Sequence, residues 1–308
     1  MRRLFPYLIL TLACMAVLWW SRFPHDLSVV EPAMEHAAHP EQFPAAVWRH
    51  EWVPVHVINW ISQFFRPGNT IFARLMTRYY GVFLLPYILA MYWLCRKFAG
   101  EWGSLVACLY LTVIMPVCWY DNFFQLHDSL GLLLSVWVVW SAHKNRIFVY
   151  LIALLVSGFV WEKVVMVPVC VGLRDYLTIR RWPEDFWRYR LPILVLGLFC
   201  AFIGPYLWFV WIPSDDTGLR LGFITQWRHQ LIGYLGSWTI MFGPPVFALF
   251  ACWKRVPILF KTLSLQFIAF FLFYVFSGAM LSEMRGIIVM ATFSYPVLAM
   301  ALEEEKSA

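Results

Sequence analysis

Charged residues are scarce in this sequence: only 14% of its 308 residues are Asp, Glu, Lys or Arg, whereas soluble domains carry about a quarter. Hydrophobic residues make up 61%. In a soluble helix or strand the apolar positions alternate with polar ones, but the apolar runs here are nearly unbroken. A run of roughly 20 mostly apolar residues is long enough to cross a bilayer. The composition therefore excludes an ordinary soluble domain and predicts an integral membrane protein.

Paired cysteines and a glycine-rich phosphate loop are also missing. The seven cysteines include no C-x-x-C pair, and all of them fall within apolar segments. We interpret them as small buried hydrophobic residues, which argues against a disulfide framework or a cysteine metal site. Without a phosphate loop and with short cytoplasmic loops, a cytoplasmic nucleotide-sugar enzyme is disfavoured. The formal charge of +6 is explained by Lys and Arg in cytoplasmic loops, so no nucleic-acid partner is implied.

The apolar segments predict one all-α membrane domain over residues 1–308, a polytopic helix bundle with about ten spans and both termini in the cytoplasm. The predicted spans are 4–20, 71–95, 102–119, 129–142, 147–173, 191–212, 237–253, 258–281 and 286–302. Basic segments flank 147–173 on both sides, so this region must cross twice or re-enter. Gly158 and the polar pair Glu162–Lys163 mark its expected turn. The first span lacks the small-residue exit of a signal peptide, so we expect it to be retained.

The charge distribution tests this topology, because the spans rest mainly on apolar lengths. The cytoplasmic side receives 15 Lys and Arg against 7 Asp and Glu, whereas the outer side receives 9 against 11. Seven of the eight histidines also fall on the outer side. This distribution agrees with the positive-inside rule. The cytoplasmic segment Arg174–Arg190, with interleaved aromatic residues, predicts an interfacial helix on anionic lipid.

The largest outer segment is the loop 21–70, which is too long for a simple connector. Its second half is too apolar for a disordered tether. Within 52–65, apolar residues such as Ile58 and Ile61 share one helical face, and polar residues such as Asn59 lie on the opposite face. The pattern predicts an amphipathic juxtamembrane helix on the outer membrane surface.

Short polar motifs adjoin the outer ends of the predicted spans. In order they are Ser21–Asp26 (SRFPHD), Ala73–Arg78 (ARLMTR), Tyr120–Asp128 (YDNFFQLHD), Trp161–Lys163 (WEK) and Ser282–Arg285 (SEMR). Together with the long first outer loop, this order resembles the GT-C superfamily of polytopic membrane glycosyltransferases over nearly all of the chain. The resemblance implies transfer of a sugar from a polyprenyl-phosphate carrier to an acceptor on the outer face of a bacterial inner membrane.

Asp26 is the candidate catalytic base. In the superfamily that it resembles, an acidic residue shortly after the first span takes the proton of the acceptor hydroxyl. Residue chemistry agrees, because such a transfer needs a base near the acceptor and Asp26 lies just beyond the predicted first span, where it would face a lipid-borne donor. A helix cap or a solvated turn is the alternative explanation.

Cations are needed at the departing phosphate. The candidates are Arg74, Arg78, Lys163 and Arg285. Arg74 and Arg78 are four residues apart, so they share one helical face near the outer end of the second span. Snorkelling to lipid headgroups is the alternative for both. Lys163 and Arg285 have nearby acidic residues, Glu162 and Glu283, with which they would alternatively form structural ion pairs.

Asp121 and Asp128 flank the aromatic outer turn. Asp128 begins a span, so helix capping is its plain explanation. Asp121 and Asp26 together would be able to bind a divalent cation, as some members of the resembling superfamily do. Those members carry an acidic pair in the first outer loop, where this sequence has one acidic residue. Metal dependence therefore stays open, and we assign no metal ligands.

Three functions fit these patterns. A glycosyltransferase with polyprenyl-phosphate sugar and membrane lipid as partners is favoured. A transporter or flippase of lipid-linked or small solutes would place ionisable residues near the middle of the bilayer, whereas the charges here gather at the outer edge. A surface-glycan polymerase or ligase would share the outer basic site but use a diphosphate-linked glycan. The sequence leaves the sugar, the acceptor and a partner subunit open.

Overall fold

A computed structural model describes residues 4–20, 81–119, 126–160, 164, 166–178, 186–211, 227–266 and 289–303. The helices are α1 (Phe5–Trp20), α2 (Gly81–Cys95), α3 (Glu101–Trp119), α4 (Leu126–His143), α5 (Ile147–Val160), α6 (Met166–Thr178), α7 (Leu191–Trp211), α8 (Trp227–Ala251), α9 (258–266) and α10 (Val289–Ala301). A π-helical turn, Phe186–Arg190, leads directly into α7. These ranges contain helices and no strands, so the predicted all-α class is confirmed for them.

A helix that spans a membrane is recognised by its length and by its apolar composition. Of the helices in the described ranges, none is both long enough and apolar enough to qualify as one. The polytopic membrane arrangement therefore stays a prediction.

The turn between α4 and α5 shows how local sequence fixes the helix ends. Asn145 has a φ of 52°, the left-handed conformation that asparagine tolerates better than most residues. The Arg146 amide donates to the Ser141 carbonyl at 3.0 Å, and the Asn145 amide donates to Ala142 at 3.3 Å. These two bonds form a Schellman motif, which ends α4 and satisfies its last carbonyls. As a result, α5 begins immediately and packs alongside α4.

Several chain segments meet at one end of the helical assembly, which we call the basic end. The Phe98 ring lies 4.7 Å from the His143 ring and 4.6 Å from the Phe260 ring. The Glu303 carboxylate accepts a hydrogen bond from the Gly100 amide. The basic end comprises residues 96–101, 143–146, 174–178, 186–190, 252–261 and 303.

The basic end holds every Asp, Glu, Lys and Arg whose side chain the structure describes. They are Arg96, Lys97, Glu101, Lys144, Arg146, Arg174, Asp175, Arg188, Arg190, Lys254, Arg255, Lys261 and Glu303. Ten of them are cations and three are carboxylates. The sequence assigned these separate segments to one side of the molecule, and the structure confirms that they meet. Their location in the cytoplasm stays a prediction.

The return of segment 147–173 to its starting side is also confirmed. The segment is divided into α5 and α6, and Arg174 near the end of α6 donates to the Ala142 carbonyl at 2.7 Å. The prediction for Gly158 was wrong, because Gly158 lies inside α5 and not at the turn. A Cβ there would lie 2.6 Å from the Ala201 carbonyl oxygen of α7. Gly158 therefore allows α5 and α7 to approach closely.

The buried core lies between helices that alternate in direction. α5 packs between α4 and α7, while α10 packs against α8, α3 and α2. The largest fully buried side chains include Tyr87, Phe260 and Tyr295. Gly103 makes close packing of α3 and α10 possible, since a Cβ there would lie 2.4 Å from the Ala299 carbonyl oxygen.

Candidate functional site

The predicted outer site falls almost entirely outside the described residues. Lying outside them are Asp26, Arg74, Arg78, Asp121, Glu162, Lys163, Glu283 and Arg285, together with the loop 21–70 and its predicted helix over 52–65. Asp128 is the third residue of α4. A carboxylate in the first turn of a helix is stabilised by the partial positive charge of the helix N-terminus. The position of Asp128 agrees with the helix-terminus explanation, and its role stays a prediction.

Five helices have a terminus close to one of these candidate residues in sequence, and all five termini lie on the same side of the helical assembly. α2 and α10 end at the basic end, whereas α3 and α5 begin there. α1 also begins near it, because the Tyr7 ring lies 5.1 Å from the Tyr92 ring near the end of α2. The other termini of these helices are Trp20, Gly81, Trp119, Val160 and Val289. These termini therefore point away from the basic end, and we call the side they face the outer end.

The described residues do form one polar cleft, which lies at the basic end and which we call the basic cleft. It is a shallow cleft that is open to solvent. The lining residues are Ser141, Ala142, Asn145, Arg146, Ile147, Tyr150, Val171, Arg174, Asp175, Arg190 and Ile193. The α4–α5 turn forms one wall, and the end of α6 with the start of α7 forms the other.

A buried ion pair forms the floor of the basic cleft. Two nitrogens of the Arg174 guanidinium contact Oδ1 of Asp175, at 2.7 Å (Nε) and 2.6 Å (Nη2). Both side chains are almost fully buried. The same guanidinium donates to the Ala142 carbonyl at 2.7 Å and to Oδ1 of Asn145 at 3.3 Å. Arg174 therefore fastens the end of α6 to the last turn of α4, where the helix dipole favours a cation.

The other two arginines of the cleft have unused binding capacity. The Arg190 guanidinium is 3.8 Å from Oδ2 of Asp175 and 37% exposed, so it makes an ion pair without a hydrogen bond. The Arg146 guanidinium lies 5.0 Å from the Trp140 ring centroid and has no carboxylate within 4 Å in the described part of the chain. Three arginines and one carboxylate thus line the cleft, which carries an excess of positive charge that suits an anion.

His143 lies beside the cleft, at the end of α4 and outside the predicted spans. Burial lowers the pKa of His143 from its ordinary value, and the cations Lys144 and Arg174 lower it further. The imidazole is therefore neutral near pH 7. Its ring packs edge-on against Phe98, so His143 acts as part of the aromatic packing that joins α4 to the turn after α2.

Sequence reasoning did not find the basic cleft. It interpreted Arg174–Arg190 as one interfacial helix, whereas the described part consists of the end of α6 and the π-helical turn. The available signal was the acidic residue Asp175 directly after Arg174. An acid next to an arginine favours a structural ion pair, but the other partners of Arg174, Ala142 and Asn145, come from a distant segment.

Neither a metal site within the described ranges nor a known relative assigns a function to the protein. No cluster of three or more His, Cys, Asp or Glu side chains suited to a metal ion occurs within the described ranges, and Asp26 and Asp121 lie outside those ranges. Comparison of the sequence with family models, with curated proteins and with solved structures gave no match. The likeness to the GT-C superfamily therefore rests on the order of sequence motifs.

Proposed function

We propose that the protein is an integral membrane glycosyltransferase that moves a sugar from a polyprenyl-phosphate carrier to an acceptor on the outer face of the membrane. The observation that carries the proposal is the common orientation of five helix ends. Trp20, Gly81, Trp119, Val160 and Val289 all point away from the basic end. Each adjoins a motif of the predicted site in sequence, so the helices favour one shared outer site.

The surface of the helices supports the membrane part of the proposal. Large apolar side chains are exposed along them, including Phe148 at 77%, Phe202 at 54% and Phe247 at 78%. In water such extensive exposure would cost hydrophobic free energy, whereas lipid tails accept it. The charged side chains that the structure describes avoid these surfaces and lie at the basic end.

Asp26 and the outer cations have distinct roles in the proposed reaction. Asp26 takes the proton of the acceptor hydroxyl as that oxygen attacks the anomeric carbon of the sugar. The bond between the anomeric carbon and the phosphate oxygen breaks, and the polyprenyl phosphate leaves with both bonding electrons. A single displacement of this kind inverts the anomeric configuration.

The cations neutralise the charge that develops on the leaving phosphate. These are Arg74, Arg78, Lys163 and Arg285. Glu162 and Glu283, each within two residues of its cation in sequence, are the supporting acids of this proposal. Asp121 supports the same outer turn, and a divalent cation bound by Asp26 and Asp121 is the variant of this scheme that the metal-using members suggest.

The experiment measures consumption of polyprenyl-phosphate sugar by the purified protein in lipid. A positioned general base contributes roughly 10²- to 10⁴-fold to a rate, so Asp26→Asn should lower turnover by at least about a hundredfold while donor binding is retained. Glu31→Gln, in the same predicted loop, is the matched control and should keep its activity. An unchanged rate for Asp26→Asn would remove the proposed base.

Parallel assays separate the other two functions. Consumption of a diphosphate-linked glycan in preference to the monophosphate donor would identify a surface-glycan polymerase or ligase. Counterflow of a solute in vesicles without sugar transfer would identify a transporter or flippase. Addition of a chelator tests the metal-dependent variant, because loss of activity that Mg²⁺ or Mn²⁺ restores would require a bound cation.

A further inference from the structure

We propose that the basic cleft binds the phosphate group of an anionic phospholipid, and that Arg146 and Arg190 donate hydrogen bonds to this phosphate. This site is separate from the outer site and does not depend on the proposed transferase activity. The α4–α5 turn supplies Arg146, and the residue directly before α7 supplies Arg190.

The charge of the cleft favours an anion. Arg174 cannot supply the binding, because its guanidinium already contacts Asp175, Ala142 and Asn145. Arg146 and Arg190 keep most of their donors available, and the guanidinium group matches a phosphate with two parallel hydrogen bonds. The Arg190 guanidinium also lies 3.8 Å from Oδ2 of Asp175, and the charge of Asp175 is balanced by Arg174.

The apolar wall of the cleft favours a lipid over a free phosphate ion. Ile147 and Ile193 line the cleft at the first turns of α5 and α7. These two helices pack against each other, and one turn beyond Ile193 the apolar side chain of Leu196 is exposed on α7. If the arginines bind the headgroup of a lipid, its acyl chains would lie along this apolar surface. Inorganic phosphate would make no use of that surface.

Aromatic side chains place the cleft at the depth of lipid headgroups. Trp93, Trp137 and Trp140 form a cluster between α2 and α4, with ring centroids 5.5 to 6.1 Å apart. Lys97 lies over Trp93 at 5.0 Å and Arg146 over Trp140 at 5.0 Å. Tryptophan rings with cations just beyond them are typical of the membrane–water interface. Arg146 belongs to both the cluster and the cleft, so the cleft lies at the same level.

The test measures binding of short-chain phosphatidylglycerol to the full-length protein in non-ionic detergent, by the rise in melting temperature with lipid concentration. Phosphatidylcholine and inorganic phosphate are run in parallel. The variant is Arg146→Gln with Arg190→Gln, and the matched control is Lys97→Gln with Lys254→Gln. Both pairs remove two charges from the basic end, but Lys97 and Lys254 do not line the cleft.

We expect phosphatidylglycerol to bind the unaltered protein and the control with similar affinity. Each cation near an anionic headgroup contributes about tenfold or less to binding, so the Arg146/Arg190 variant should bind roughly thirtyfold more weakly. Equal stabilisation by phosphatidylcholine, or an equal loss in the control, would overturn the proposal. Competition by inorganic phosphate at the same concentration would assign the cleft to a soluble phosphate. If the double variant does not fold, Arg146→Gln alone should weaken binding about fivefold.

Discussion

At the scale of single residues, Asp175 stabilises the connection between two segments that are distant in sequence. Its carboxylate is almost fully buried and contacts the Arg174 guanidinium at 2.6 Å. A buried charge without its partner costs several kcal/mol, so neither member of the pair can be replaced alone without loss. Because Arg174 also holds Ala142 and Asn145, the pair connects α6 to the α4–α5 turn.

Replacement of Asp175 should therefore destabilise the fold. We expect Asp175→Asn to lower the free energy of unfolding by about 3 kcal/mol, because Arg174 would keep its buried charge and lose its counter-ion. Glu101→Gln removes an exposed carboxylate at the same end and should cost less than about 1 kcal/mol. Denaturation in detergent micelles measures both. Equal losses in the two variants would show that the buried ion pair contributes no more to the free energy of unfolding than an exposed carboxylate does.

At the scale of elements, α8 illustrates how neighbouring helices correct a local defect. Pro244 and Pro245 lie inside α8 and have no amide hydrogen, so the carbonyls four residues earlier, at Ile240 and Met241, lose their helical partners. The Tyr110 hydroxyl of α3 donates to Ile240, and the Tyr295 hydroxyl of α10 donates to Met241 at 3.1 Å. The tyrosines thus donate to the two carbonyls that lack their usual helical donors.

Tyr295 and Pro245 should consequently be coupled energetically. Tyr295→Phe removes the hydrogen bond to the buried Met241 carbonyl, and we expect a loss of about 0.5 to 1.5 kcal/mol in the free energy of unfolding. In a Pro245→Ala background the restored amide pairs with that carbonyl, so the same change should cost much less.

Pro244→Ala is the mismatched control, since it restores the partner of Ile240 and not of Met241. Tyr295→Phe should keep its full cost in that background. A double-mutant cycle with thermal unfolding in detergent measures the difference, and equal costs in all three backgrounds would contradict the coupling.

At the scale of the whole molecule, the charged side chains that the structure describes lie at one end. The described charged side chains are concentrated at the basic end, while the helix flanks expose residues such as Val113, Phe199 and Phe250. This arrangement agrees with the positive-inside rule if the basic end faces the cytoplasm. The outer end would then receive the motifs from Asp26 to Arg285, as the proposed function requires.

Cysteine labelling in cells checks this orientation. Lys144→Cys and Lys254→Cys are exposed at the basic end and should react with a membrane-impermeant maleimide only after the membrane is disrupted. Glu41→Cys, in the predicted outer loop, should react in intact cells. The protein without added cysteine is the control, because its described cysteines are mostly buried. Labelling of Lys144→Cys and Lys254→Cys in intact cells would reverse the topology.

The predictions that the structure confirms are those that depend on local pattern. Apolar runs bounded by basic turns predicted α5 and the grouping of the turns at 96–101 and 143–146, because side-chain polarity determines which face or end a segment occupies. The predictions for Asp26 and the outer cations stay predictions, because these residues lie outside the described ranges. Gly158 was assigned to a turn because glycine breaks helices in general, but a neighbouring backbone decided its role.

For the described residues, the sequence by itself determined the all-helical class, the helix boundaries near the basic turns and the meeting of those turns at one end. Each of these follows from composition and periodicity within a stretch of chain. Only the tertiary structure decided that Arg174 joins Asp175 to the turn at Asn145, and that Tyr295 satisfies Met241. The physical reason is that hydrogen bonds and ion pairs form wherever packing brings donor and acceptor together, and residues distant in sequence carry no local signal of that encounter.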